Sequence, residues 1–208
     1  RQIDLNETVP IASNFSDAAD KYVDSISSSF SMHTLNSKNI PVFTSDYALY
    51  YFDYLAGHDI VFVELGWNVS RTQQIGLCRG AANVLDKDWG AIITWTYMEP
   101  PYITSGPEIL QDMYTAYEAG AKYIVVFNWP VHPEGNPYGI LTEEHFEAMQ
   151  QFWDYTQTDG KAAEKITAQV ALLLPEDYGV GLRHLNEKIW GLWQPDNDYQ
   201  QIWQNINK

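Results

Sequence analysis

Along this chain, segments of continuous apolar residues alternate with segments in which apolar residues recur every three or four positions. Unbroken apolar segments are typical of strands that are covered on both faces of a parallel sheet. They lie at 41–44, 59–64, 90–95, 123–128 and 166–174. The three- and four-residue spacing is that of amphipathic helices. Helices are therefore predicted over 16–35, 47–55, 70–85, 105–119 and 142–153.

The regular order of helix and strand predicts an α/β fold built on a parallel sheet. A doubly wound sheet usually has a glycine-rich first turn, but neither G-x-G-x-x-G nor G-x-x-x-x-G-K-S/T occurs in this sequence. A TIM (β/α)₈ barrel instead carries its functional groups just past the carboxyl ends of its strands. Those positions are rich in polar and aromatic residues here, which favours the barrel. Because four of the strands precede residue 160, the prediction is half a barrel.

The residues at and just past the strand ends form the candidate site. The predicted catalytic carboxylates are Asp46, Glu64 and Glu99, and the predicted substrate-binding residues are Trp67, Trp95, Tyr97, Asn128 and Trp129. Since the carboxyl ends of parallel strands meet at one edge, Glu64 and Trp95 are expected to line one cavity with at least one of Asp46, Glu99 or Trp129. Carboxylates together with flat rings suit glycoside cleavage, in which carboxylates transfer protons or attack and rings hold the sugar.

Each of these candidates also has a purely structural interpretation. Glu64 could form an ion pair with Arg71 or Arg79, and Asp46 could cap the helix that follows it. Glu99 lies in a loop with two prolines, where it could point into solvent. The aromatic residues could pack beneath the loops, and Asn128 could simply form a turn.

Three segments between Asp46 and Trp129 carry a resemblance to a known family. They are VFVELGWN, GAIITWTYMEPPY and YIVVFNWP, and they resemble the C-terminal half of a glycoside-hydrolase-like (β/α)₈ barrel. Similar segments occur in uncharacterised archaeal extracellular proteins, whose barrel precedes a flavodoxin-like domain as in family 42 β-galactosidases. The resemblance implies that residues 1–160 hold the fifth to eighth barrel strands. It also implies that residues 161–208 begin a second, flavodoxin-like α/β domain.

The resemblance favours a secreted glycosidase that needs no cofactor and acts on an extracellular polysaccharide or glycan. Glu64 would be the nucleophile or base, and Asp46, Glu99 or a residue of the missing half would be its partner. The alternative is a non-catalytic carbohydrate-binding or cell-surface protein on a degenerate barrel. Two carboxyl groups about 5 to 9.5 Å apart in one cleft would favour hydrolysis, and a lone carboxylate in a shallow aromatic groove would favour binding.

Charge and hydropathy narrow the possible partners. The chain has 27 acidic and 12 basic residues, a net charge of −15, which disfavours nucleic acid and anionic membrane surfaces. No apolar run approaches the roughly 18 residues of a membrane span. Four strands leave two open sheet edges, which are prone to pair with other chains. We therefore expect a missing half-barrel from the same precursor, from a second copy or from another chain to cover them.

Cysteine, histidine and asparagine add little further chemistry. The single cysteine, Cys78, lies in a helical apolar pattern and is expected to be a buried, inert thiol. The five histidines lack the spacing of a helical zinc site, so no metal site is predicted. The sequons at Asn6, Asn14 and Asn68 are candidate glycosylation sites and fit an extracellular location.

Overall fold

The computed structural model describes residues 12–66, 69–97, 102–128 and 138–158, together with 173–174, 177, 201–202 and 204–205. The helices in these ranges are α1 (Phe15–Ser27), α2 (Phe30–Ser37), α3 (Tyr50–Leu55), α4 (Arg71–Leu85), α5 (Gly106–Glu118) and α6 (Glu143–Thr158). The strands are β1 (Phe43–Asp46), β2 (Ile60–Leu65), β3 (Asp88–Thr96) and β4 (Tyr123–Asn128). Most of the strand predicted over 166–174, and of the second domain predicted over 161–208, lies outside the described residues.

The four strands form one parallel sheet in the order β1-β2-β3-β4. This confirms the predicted α/β class and the parallel order of the four strands. Helices α3, α4 and α5 connect them in turn. A helix that connects two neighbouring parallel strands almost always crosses over in the right-handed sense. Each connection here leads to the next strand on the same side of the sheet, so the three helices lie on one face. The order does not reverse among the described strands, as it would in a doubly wound sheet.

The main hydrophobic core lies between this helix-covered face and the helices. Val61, Val63 and Leu65 alternate along β2 and are fully buried there, as Ala91 and Ile93 are on β3. The helices contribute Ile75 and Cys78 from α4 and Ile109 and Met113 from α5. Side chains two residues apart on a strand share a face, so these residues identify the helix side of the sheet.

The residues in between point to the opposite face, which we call the open face. Its residues are Phe43, Ser45, Phe62, Glu64, Ile92, Thr94, Tyr123, Val125 and Phe127. Phe43, Phe62 and Tyr123 form a ring cluster with centroids 5.9 to 6.2 Å apart. Large apolar side chains remain 39 to 48% exposed on this face, namely Phe43, Val125 and Phe127. The sheet is therefore much better covered on one side than on the other.

The prediction of one continuous helix over 16–35 is wrong, because this segment holds two helices, α1 and α2. The break falls at Ser28 and Ser29, and the Ser29 hydroxyl accepts a hydrogen bond from the Met32 backbone N–H at 3.2 Å. Serine side chains compete with helical backbone bonds in this way and favour caps over helix interiors. Phe30 is the first residue of the second helix, α2, and is 85% exposed. None of the described helices is long and apolar enough to cross a membrane.

Candidate functional site

Glu64 lies on the open face near the carboxyl end of β2. Its side chain is half-buried, and its Oε1 atom accepts a hydrogen bond from the Ser45 hydroxyl on β1 at 2.7 Å. In the parallel register Ser45 lies beside Phe62 of β2. Glu64 is two residues further along β2, so its side chain lies on the same face as Ser45 and next to it. Sequence reasoning missed Ser45, although its two-residue spacing from Phe43 places both on one face of β1.

Glu64 takes part in none of the ion pairs between described residues. Arg71, one of the two arginines proposed as its structural partner, instead contacts Asp112 of α5 at 3.2 Å. The Arg71–Asp112 pair joins α4 to α5 on the helix side of the sheet. The contact described for the Glu64 carboxylate is therefore a neutral hydroxyl, and its oxygens can also accept hydrogen bonds from hydroxyl groups of a ligand.

Asp46 ends β1 and binds the turn that leads into α3. Its Oδ1 atom accepts hydrogen bonds from the backbone N–H groups of Tyr47, Ala48 and Leu49 at 2.6, 2.8 and 2.9 Å. Burial raises the pKa of Asp46, the three N–H groups oppose that rise, and the charge of Glu64 adds a smaller upward effect. Asp46 therefore holds the turn before α3, a structural role close to the predicted helix cap, although the N-cap of α3 is Leu49 and has no side-chain cap hydrogen bond.

The register also separates these two carboxylates. Asp46 is opposed to Val63, which faces the helices, whereas Glu64 belongs to the open face. A catalytic pair would need both carboxyl groups in one cleft. The role of Asp46 as an acid or base stays a prediction without a described contact to support it.

Trp95 lies on the helix side, so the expected cavity shared by Glu64 and Trp95 is a wrong prediction. Its ring is 2% exposed and packs in the main core, with its centroid 5.0 Å from that of His145 on α6. It follows Ile93 in the alternation that points into the core. The register of β3 against β4 shifts between Thr94 and Thr96, so the strand is irregular at this residue. A ring buried in this way cannot stack on a sugar.

Tyr97 and Asn128 are described at the same edge of the sheet. Tyr97 is 7% exposed, and its hydroxyl donates to the Thr94 carbonyl oxygen at 2.9 Å. Its ring closes over Gly66, where an added Cβ would lie 3.5 Å from the Tyr97 Cε1 atom and 3.0 Å from Thr94. Asn128 ends β4 half-buried. Tyr97 thus packs the end of β3, and Asn128 keeps its predicted position at the strand end.

The remaining site predictions fall mostly on residues outside the described ranges. These are Trp67, Glu99 and Trp129 of the candidate site and the sequon asparagines Asn6 and Asn68. The third sequon residue, Asn14, is exposed and caps α1, where its Oδ1 atom accepts the Asp17 backbone N–H at 2.9 Å. Glycosylation at these residues stays a prediction. Among the described residues, no group of three His, Cys, Asp or Glu side chains is placed to hold a metal ion.

A cavity of about 620 Å³ opens at the other, amino-terminal edge of the sheet. Its walls include Phe43 and Tyr123 of the ring cluster and the carboxylates Asp59 and Asp88. Lysines pair with both carboxylates, Lys87 with Asp59 and Lys122 with Asp88. The cavity therefore lies away from Glu64, and ion pairs already account for these two charges.

The chain matches no protein-family model, no curated protein and no solved structure. Its function therefore has to be inferred from the geometry around Glu64 and the open face.

Proposed function

We propose that this chain binds a carbohydrate on the open face, with Glu64 as the group that contacts the sugar. The observation that carries the proposal is the position of Glu64, a half-buried carboxylate held by the Ser45 hydroxyl and free of any described ion pair. Carboxylates accept hydrogen bonds from sugar hydroxyls, and the Phe127 ring, on the same face near the carboxyl end of β4, offers apolar surface for the C–H side of a sugar ring.

The same proposal places the sheet in a glycoside-hydrolase-like barrel whose other half comes from elsewhere. Its support is the parallel order, the helices on one face and the partly exposed opposite face. Eight strands close such a barrel, and the described part of this chain supplies four. The other half would come from the same precursor, a second copy or another chain, and an extracellular location suits both the glycan ligand and the sequons.

Hydrolysis is the further step of this proposal and needs a second carboxyl group. Among the described residues, Glu64 is the only carboxylate on the open face near the carboxyl ends of the strands, since Asp88, on the same face of β3, lies at the amino-terminal edge and pairs with Lys122. A glycosidase made from this chain would therefore take its second carboxyl group from Glu99 or from the other half of the barrel. Without such a partner, Glu64 would bind a sugar without cleaving it.

The test measures binding and turnover separately. The chain is titrated against a panel of soluble polysaccharides by calorimetry, and turnover is followed as the release of reducing sugar. Glu64→Ala removes the carboxylate and is expected to weaken binding about tenfold or more, since hydrogen bonds to charged groups contribute about 1.5 to 3 kcal/mol. Glu147→Gln on the exposed side of α6 is the matched control and should leave binding unchanged.

Glu64→Gln separates the two versions of the proposal. The amide retains size and most hydrogen bonding, so binding should change only a few fold, while turnover by a glycosidase should fall by orders of magnitude. Binding without turnover in the parent chain assigns the carbohydrate-binding version. A parent chain that binds no member of the panel, or a Glu64→Ala variant that binds as well as the parent, refutes the proposed site.

A further inference from the structure

Asp53, on α3, is a buried carboxyl group at the contact with α1. The residue is 2% exposed, and its Oδ1 atom accepts a hydrogen bond from the Tyr22 hydroxyl of α1 at 2.6 Å. Its Oδ2 atom is buried without a hydrogen-bond partner. A negative charge on this carboxylate costs free energy, because burial removes the water molecules that would bind it and the protein supplies only one hydrogen-bond donor in their place.

Within the described part of the chain, the titratable groups around Asp53 do not offset a negative charge. They are Tyr22 from α1, Asp46 from the turn before α3, Tyr50 and Tyr54 on α3, Cys78 from α4, and His58, whose Nδ1 atom lies 2.8 Å from the Asp53 carbonyl oxygen. None of them is a lysine or an arginine. Burial, and after it the charge of Asp46, raises the pKa of Asp53 to about 8, against the opposing effect of the Tyr22 hydrogen bond.

The contact that Asp53 serves is separate from the main core. It is a small cluster formed by Ala12, Ala18 and Tyr22 on the α1 side and by Leu49 and Phe52 on the α3 side, and Leu77 of α4, Leu174 and Ile202 also pack against it. A helix held by a small satellite cluster can open while the main core stays intact. The protonation of one buried group can therefore act on α1 without unfolding the sheet.

We propose that Asp53 makes the docking of α1 onto α3 dependent on a proton: α1 is docked when Asp53 is neutral and becomes progressively released as the pH rises. When α1 leaves, Asp53 meets water and regains an ordinary pKa near 4. The docked state therefore binds one more proton than the released state between about pH 4 and pH 8. Docking weakens about tenfold per pH unit across that interval and becomes independent of pH above it.

Hydrogen exchange of the intact chain, measured from pH 5 to 9 and corrected for intrinsic exchange, tests the proposal. Opening of the α1 amides should rise about tenfold per pH unit up to about pH 8 and then level off. The amides of β2 and β3 should show no such rise. Asp53→Asn should abolish the pH dependence, so that its α1 amides exchange at pH 9 at least tenfold more slowly than those of the parent. Asp20→Asn, an exposed site on α1, is the matched control and should retain the dependence.

Two further measurements keep the result decisive if Asp53→Asn folds poorly. Tyr22→Phe removes the hydrogen bond that lowers the pKa of Asp53, so the pH dependence should persist and extend to higher pH. The carboxyl carbon of Asp53, followed by NMR, should titrate with a midpoint well above pH 6. A midpoint below pH 5, or α1 amides that exchange in parallel with those of the sheet at every pH, would overturn the proposal.

Discussion

The open face leaves no room for a side chain at Gly90 of β3, and this makes a sharp prediction. A Cβ atom added there would lie 2.6 Å from two carbons of the Phe62 ring and 2.8 Å from the Tyr123 carbonyl oxygen. The first contact is about 1 Å inside the usual carbon–carbon separation. The second is with the backbone of the neighbouring strand β4. Gly90→Ala should therefore strain both the ring cluster and the β3–β4 ladder.

The expected loss of stability in Gly90→Ala depends on how far the Phe62 ring and the β4 backbone can move away from the added Cβ atom. The Phe62 ring lies against Phe43 and Tyr123, at centroid distances of 6.0 and 6.2 Å, so it must leave its rotamer or displace another ring. Overpacking of this kind costs about 1 to 3 kcal/mol. In a chain of 208 residues each kcal/mol corresponds to roughly 2 to 4 °C of melting temperature. We therefore expect Gly90→Ala to lower the melting temperature by several degrees.

Denaturant unfolding followed by circular dichroism measures this change. Gly80→Ala is the matched control, because Gly80 is exposed on α4 and an added Cβ there meets nothing within 4 Å. It should stabilise the protein by about 0.5 to 1 kcal/mol, since alanine is the better helix former. In a Phe62→Leu background, Gly90→Ala should cost at least about 1 kcal/mol less than in the parent. If Gly90→Ala behaves like Gly80→Ala, or its cost is the same in both backgrounds, the described ring packing is wrong.

Two more predictions concern buried side chains. Burial raises the pKa of the Cys78 thiol well above its usual value. This thiol should therefore react with a disulfide reagent only after the chain is denatured. Fast reaction in the native protein would contradict its position in the core. Trp95→Phe should lower the free energy of unfolding by about 1 to 2 kcal/mol and leave the affinity for the glycan within twofold of the parent. If the variant loses glycan binding while its stability is unchanged, Trp95 contacts the sugar and its assignment to the core is wrong.

The strands were predictable because their apolar segments are continuous and bounded by turn residues. The strand expected at 123–128 is β4 itself, and that expected at 59–64 is shifted by one residue in β2. The break at Ser28 and Ser29 was not predictable from periodicity, because apolar residues recur at helical spacing across it. It depends on a cap hydrogen bond to Met32, which the spacing of apolar residues does not reveal.

The candidate site was predictable only as an edge of the sheet. In strands that are apolar on both faces, the sequence does not show which alternate set faces the helices, so Glu64 and Trp95 were placed together although they lie on opposite faces. The pairing of Glu64 with Ser45 depends on the register between two strands. Whether Asp46 caps a turn or assists catalysis depends likewise on where three backbone N–H groups point.

The sequential strand order has a consequence for how the protein is made. Each described strand forms hydrogen bonds only with strands next to it along the chain, so every pairing closes over a single connecting segment. Parallel pairing folds slowly because each pairing must first close a helical connection, but pairing with the next strand keeps that connection as short as a parallel sheet allows, and strands can join the sheet in the order in which they leave the ribosome. A strand–helix unit can also be gained or lost at either end without a new strand having to enter between two paired ones.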